Sequence, residues 1–202
     1  VYGNSIFYTQ TTGGEVKIWS AESLQGLRDA TPVTVWRPNA GTPECSRNIW
    51  APEIHQLDGK WYIYFAADDG ENANHRMYVL ESEAPLGPYA LKGKLITDPS
   101  DSWAIDGTVF EKNGQRYFIW SGWPGTVDER QNLYIAAMKN PWTIEGDRVL
   151  ISEPQYKWES RINEGPEILQ KGERTFVVYS AHGSWTNHYK LAMLELTGTN
   201  VM

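Results

Sequence analysis

The 202 residues include a single cysteine, Cys45. No intramolecular disulfide can form, and cysteine content does not assign the chain to an oxidising or a reducing compartment. No apolar run approaches the roughly 18 to 20 residues that would cross a bilayer, and no basic, apolar, small-residue leader opens the chain. A membrane partner is set aside, and any export signal would lie upstream of Val1. Positive charge is also scarce: 18 Lys and Arg against 25 Asp and Glu give a net charge of -7, with the basic residues scattered. The chain lacks the footprint needed to grip phosphate backbones, so nucleic acid is not an expected partner. Three further patterns are missing. His55, His75 and His188 lack metal-ligand spacing. Asp68-Asp69-Gly70-Glu71 does not meet the twelve-residue calcium-loop pattern and reads as a turn. Ser121 and Ser180 lack the nucleophile-elbow context. No metal site is expected within the sequence.

What the chain has in abundance is aromatic rings: ten Trp and eleven Tyr, most of them in short β-like runs. Such rings stack on the C–H faces of sugars, but they also fill sheet-to-sheet interfaces. Trp61, Trp120, Tyr64 and Tyr179, inside apolar runs, are expected to pack. With 41% hydrophobic and 21% charged residues, the chain is that of a soluble globular protein with one sizeable core.

Three segments share a plan: Ile54 to Ala67, Val109 to Gly122 and Ile168 to Ala181. Each reads as a strand, a tight turn ending in Gly, and an aromatic, β-branched strand ending in small residues. A weaker copy opens the chain at Gly3. The turn glycines at 3, 59, 114 and 172 recur every 55 to 58 residues, and a third strand follows each at Val16–Trp19, Met77–Leu80, Leu133–Ala136 and Leu191–Leu194. One four-stranded blade per repeat predicts an all-β propeller with about four blades represented and no helix. The first copy lacks its innermost strand and the last stops after its third. Residues 1–202 are therefore expected to be a partial propeller domain, with blade one incomplete at its start and a closing blade absent.

Counting back eight residues from the turn glycine reaches Asp106 in one repeat and Glu164 in the next. The first strand of a propeller blade lines the central channel, so both acids are expected to face one axial site. Each is set among apolar or small residues, Trp103-Ala-Ile-Asp106-Gly-Thr and Arg161-Ile-Asn-Glu164-Gly-Pro. Burial and mutual repulsion raise a carboxyl pKa, which suits a general acid facing a second carboxylate. The competing reading makes both acids turn caps, or partners of a local arginine such as Arg161. The same count gives Ala51 in the second repeat, with Glu53 two residues on, assigned a structural part. In the first repeat the count falls about six places before Val1. Trp50, beside the axial position, Trp123, at a strand end bordering the pocket, and His182, in a loop where it could bind a sugar hydroxyl, join Ile105 as substrate-binding candidates.

These residues together resemble glycoside hydrolase family 43 over essentially the whole chain. The resemblance rests on Trp50-Ala-Pro-Glu53 followed by Asp58-Gly-Lys-Trp-Tyr-Ile-Tyr64, on Ile105-Asp-Gly-Thr108, Gly87-Pro-Tyr89 and Asn163-Glu-Gly-Pro-Glu167. It implies a five-bladed β-propeller that hydrolyses arabinofuranosides, xylosides and related glycans with inversion. By position, Glu164 resembles the general acid and Asp106 the acid that tunes its pKa and orients substrate, while the family's general base is expected upstream of Val1. Trp36 to Tyr89 and Ser121-Gly-Trp123 look closest to exo-acting α-L-arabinofuranosidases. The alternatives are a β-xylosidase and a non-catalytic carbohydrate-binding propeller. No cofactor is expected to be required, and the complete propeller could accommodate a structural calcium ion. The expected partners are arabinose- or xylose-containing polysaccharides and the remainder of the propeller. The expected location is extracellular, with the cytoplasm as the alternative.

Overall fold

A computed structural model describes all residues, Val1–Met202. The chain divides into two compact units, Val1–Lys94 and Leu95–Met202. Nearly all regular structure is antiparallel strand, as the short apolar runs between Gly, Asn and Pro turns dictate.

The first unit holds two sheets. One is formed by β1 (Ile6–Tyr8), β2 (Val16–Ala21) and β3 (Val33–Trp36), in that order. The other comprises β4 (Arg47–Leu57), β5 (Lys60–Asp68), β6 (Arg76–Ser82) and β7 (Ala90–Leu95), also in chain order. Their inner faces share a core of Val16, Ile18, Val35 and Trp36 against Ile63, Phe65, Tyr78 and Leu80. Trp36 and Phe65 meet with ring centroids 5.2 Å apart. Contrary to the all-strand expectation, a four-residue helix α1 (Leu24–Leu27) follows β2. Ser23 supplies the reason: its Oγ accepts from Gly26 N at 3.1 Å, satisfying one of the amides left free at a helix start. Single 3-10 turns also occur at Pro43–Cys45 and Asn72–Asn74.

The second unit repeats the design. β8 (Ala104–Lys112), β9 (Gln115–Gly122), β10 (Asn132–Asn140) and β11 (Thr143–Ser152) form one meander. β12 (Asn163–Lys171), β13 (Arg174–Ala181) and β14 (Lys190–Glu195) form the other. Phe110, Ile119 and Ile135 pack with Ile151, Ile168 and Val177 between them. Polar stitches fix the two sheets: Ser121 Oγ donates to the Asn163 carbonyl at 2.8 Å, Lys112 Nζ to Thr175 Oγ1 at 2.9 Å, and Gln131 bridges Ile162 in parallel. These bonds seat β12 beside β8 and β9.

The hairpins differ in one decisive detail. Asp58-Gly59 and Asn113-Gly114 both have positive φ at their two central residues, the mirror-image turn that matches strand twist. In the third hairpin Lys171 pairs with Arg174, so Gly172 is the first of the two loop residues and the only one with positive φ. The third turn therefore begins with its glycine rather than ending in it.

Candidate active site

Glu164 lies one residue into β12, paired with Ser180 of β13, and is 8% exposed. Burial, reinforced by the charge of Asp106, raises its carboxyl from an ordinary 4.5 to about 7. The Tyr189 hydroxyl donates to it and opposes that rise, and Ser180 hydrogen-bonds Tyr189 in turn. Glu164 thus holds its proton near neutrality.

Asp106 is half-buried on β8 with φ 55, the left-handed region that Asp tolerates better than most residues. Its Oδ2 accepts from the Gly165 amide at 3.0 Å, which ties the two carboxylate-bearing strands together directly beside Glu164. Behind Asp106, the Phe118 ring lies over Gly107 so closely that a Cβ there would sit 2.0 Å from Cζ. Glycine at 107 is what lets the strand close over that ring.

The expectation that Asp106 and Glu164 occupy equivalent positions is corrected by the strand register. In β4, β8 and β12 alike, a bulge places one extra residue against the neighbouring strand, between Trp50 and Glu53, Ile105 and Thr108, and Glu164 and Glu167. The positive-φ residue of each bulge is Ala51, Asp106 and Gly165. Asp106 is therefore the counterpart of Gly165, and Glu164 is the counterpart of Ile105 and Trp50. The physical reason is the third hairpin, whose glycine sits one place earlier in the loop. The two acids still converge, because the bulge brings adjacent register positions on neighbouring strands to one place.

The remaining candidates separate. Ile105 is 5% exposed and stands one residue from Asp106, in the register of Glu164. Trp123, expected at a pocket rim, is instead 4% exposed and stacked on Trp103 with centroids 4.9 Å apart and planes 8° from parallel. The loop after β9 folds back through the bond from Trp123 N to the Trp103 carbonyl and buries the indole. His182 follows β13 with φ 72, its amide directed at the Glu159 and Ile162 carbonyls. Trp50, in the first unit, stacks on His75 at 4.0 Å, and His75 lies between the Asn48 carbonyl and buried Asp68. Asp68 is thus a buried polar anchor and not simply part of a turn. Glu53 engages His55 at 3.1 Å, in keeping with a structural part.

Two participants carry no repeat signal. Buried Glu159 accepts from the amides of Gln155 and Tyr156 at 2.7 and 2.8 Å and from the Tyr179 hydroxyl at 3.0 Å, so it shapes the loop that delivers β12. Tyr189 stands just before β14. No group of three or more His, Cys, Asp or Glu side chains is arranged to hold a metal ion.

The family profile of the glycosyl hydrolases family 43 matches residues 1–202. The extracellular exo-α-(1→5)-L-arabinofuranosidase of Streptomyces avermitilis is 42% identical over 186 residues, covering 89% of this chain and 38% of that protein. The enzyme of the same name from Streptomyces chartreusis is 35% identical over 190 residues, covering 90% and 57%. Among solved structures, the α-L-arabinofuranosidase of Lactobacillus brevis superposes with a TM-score of 0.89 at 34% identity, covering 97% of this chain and 65% of that one. The chain thus spans 38 to 57% of the length of these curated relatives. The fold is all-β and of the propeller class, with the four sheets as blades, two in each unit.

Proposed function

This chain belongs to glycosyl hydrolase family 43, and from that premise we propose that it carries the acid half of an inverting glycosidase that removes α-L-arabinofuranosyl units from plant polysaccharide. The observation that carries the reading is the buried Glu164, raised to about 7 beside Asp106. Glu164 donates its proton to the departing glycosidic oxygen as the C–O bond breaks. Asp106, held by the Gly165 amide, keeps the donor protonated before cleavage and helps to orient the sugar. Inversion also needs a base about 6.5 to 9.5 Å from the acid, with a water between, and no residue here is assigned to it. Arabinose as the sugar, and secretion as the location, rest on the names of the relatives. The chemistry requires no cofactor.

The test is sugar release by the full-length protein from arabino- and xylo-oligosaccharides. L-Arabinose is the expected product. Glu164→Gln should slow cleavage of unactivated linkages by roughly 10² to 10⁴ while sparing substrates whose leaving group needs no proton. Equal loss on both substrate types, or release of xylose alone, would overturn the reading.

A further inference from the structure

Beyond the carboxylate pair, the second unit holds a cavity of about 150 Å³ at the end of β13, lined by Asp128, Ser160, Arg161, His182, Gly183 and Trp185. Trp185 is 78% exposed. It lies against Gly183, where a Cβ would come within 2.6 Å of Cε2 and Cζ2. The loop beneath is braced: Gly183 N donates to His182 Nδ1 at 2.9 Å, Thr186 Oγ1 donates to the Gly183 carbonyl at 2.9 Å, and His188 N donates to Thr186 Oγ1 at 3.2 Å. With Nδ1 accepting, the neutral His182 ring carries its proton on Nε2 and presents a donor. Across the cavity, Arg161 and Asp128 stand 4.0 Å apart, both more than half exposed. An exposed aromatic face beside paired donors and acceptors matches a sugar ring, whose C–H face is apolar and whose hydroxyls both donate and accept. His182 lies just past the end of β13, two residues beyond Ser180, the partner of Glu164.

We propose that this cavity binds a sugar unit of the polysaccharide chain that remains after cleavage, with Trp185 as its stacking platform, so that it sets a preference for long substrates over short ones. The proposal rests on the glycosidase reading for the identity of the ligand. It is tested with the full-length protein carrying Trp185→Ala or Trp185→Phe. Hydrolysis of an arabino-oligosaccharide series is compared with that of a small aryl arabinofuranoside, and oligosaccharide binding is measured by calorimetry. The Ala variant should weaken binding of the longer oligosaccharides roughly tenfold and raise their KM, while kcat/KM on the aryl substrate stays within about twofold and the Phe variant recovers most of the loss. Unchanged kinetics on both substrates, or equal loss on both, would overturn the subsite. If nothing is hydrolysed but oligosaccharide binding still depends on Trp185, the glycosidase reading fails and the sugar site stands.

Discussion

In the proposed acid role, Glu164 donates a proton only while it holds one, so the rate should be level at mildly acidic pH and fall as pH rises through about 7. The causes of that value make separable predictions. Asp106→Asn removes a neighbouring charge but keeps an oxygen for the Gly165 amide, so the alkaline limb should move to lower pH, staying above 4.5 because burial persists. Tyr189→Phe removes a donor to the carboxylate and should move the limb the other way. A ¹³C titration of the Glu164 carboxyl reads both shifts without turnover, and an Asp106→Asn value equal to wild type would uncouple the two acids. At this scale the pairing of the two carboxylates was legible because the repeat set each near the start of an inner strand. Glu159 and Tyr189 were not, since a carboxylate that organises a loop and a hydroxyl that reaches back from another strand leave no local pattern. Trp123 sits at a strand end, where sequence cannot distinguish a rim from a ring folded under its own loop.

Strands β4, β8 and β12 each carry a bulge, and the Phe118 ring packed behind that of β8 helps to set where Asp106 stands. Gly107→Ala would drive a methyl group into the Phe118 ring, and it should destabilise the protein by about 1 to 3 kcal/mol and blunt the pH coupling between the acids. Gly125 has nothing within 4 Å of its would-be Cβ and no positive φ, so Gly125→Ala is the control, expected within about 0.5 kcal/mol of wild type. Denaturant midpoints compare the two, and equal midpoints would mean that Phe118 yields without penalty. The repeat, its spacing and its third strands could all be read from the chain, because turn glycines and alternating aromatics are local signals. The phase of the last repeat could not. A two-residue loop accepts glycine in either place, and only the backbone angles show which was used. The helix at Leu24–Leu27 escaped for a similar reason: four residues are too few to show a period, and a single serine cap holds them.

For the whole molecule, a carboxyl raised on folding ties stability to pH. Below an ordinary 4.5, Glu164 is protonated whether the chain is folded or not and contributes nothing. Between 4.5 and about 7 the unfolded chain ionises more readily than the folded one, so stability falls as pH rises and the loss persists above that window. Glu164→Gln should therefore be more stable than wild type at pH 8, by on the order of 2 to 3 kcal/mol, and nearly equal to it at pH 4. Thermal melts at the two pH values test this, and a difference independent of pH would place the effect in packing. The offset of the third hairpin also limits how such blades can be recombined. A splice that ran β8 through Gly114 and continued from Glu173 would leave three loop residues where each parent has two. The inner strand would then meet its neighbour one residue out of step, turning inward the side chains that belong outside. Joined instead at Asp106 and Gly165, the same two sheets exchange in phase, so the bulge and not the turn marks the interchangeable unit of this protein.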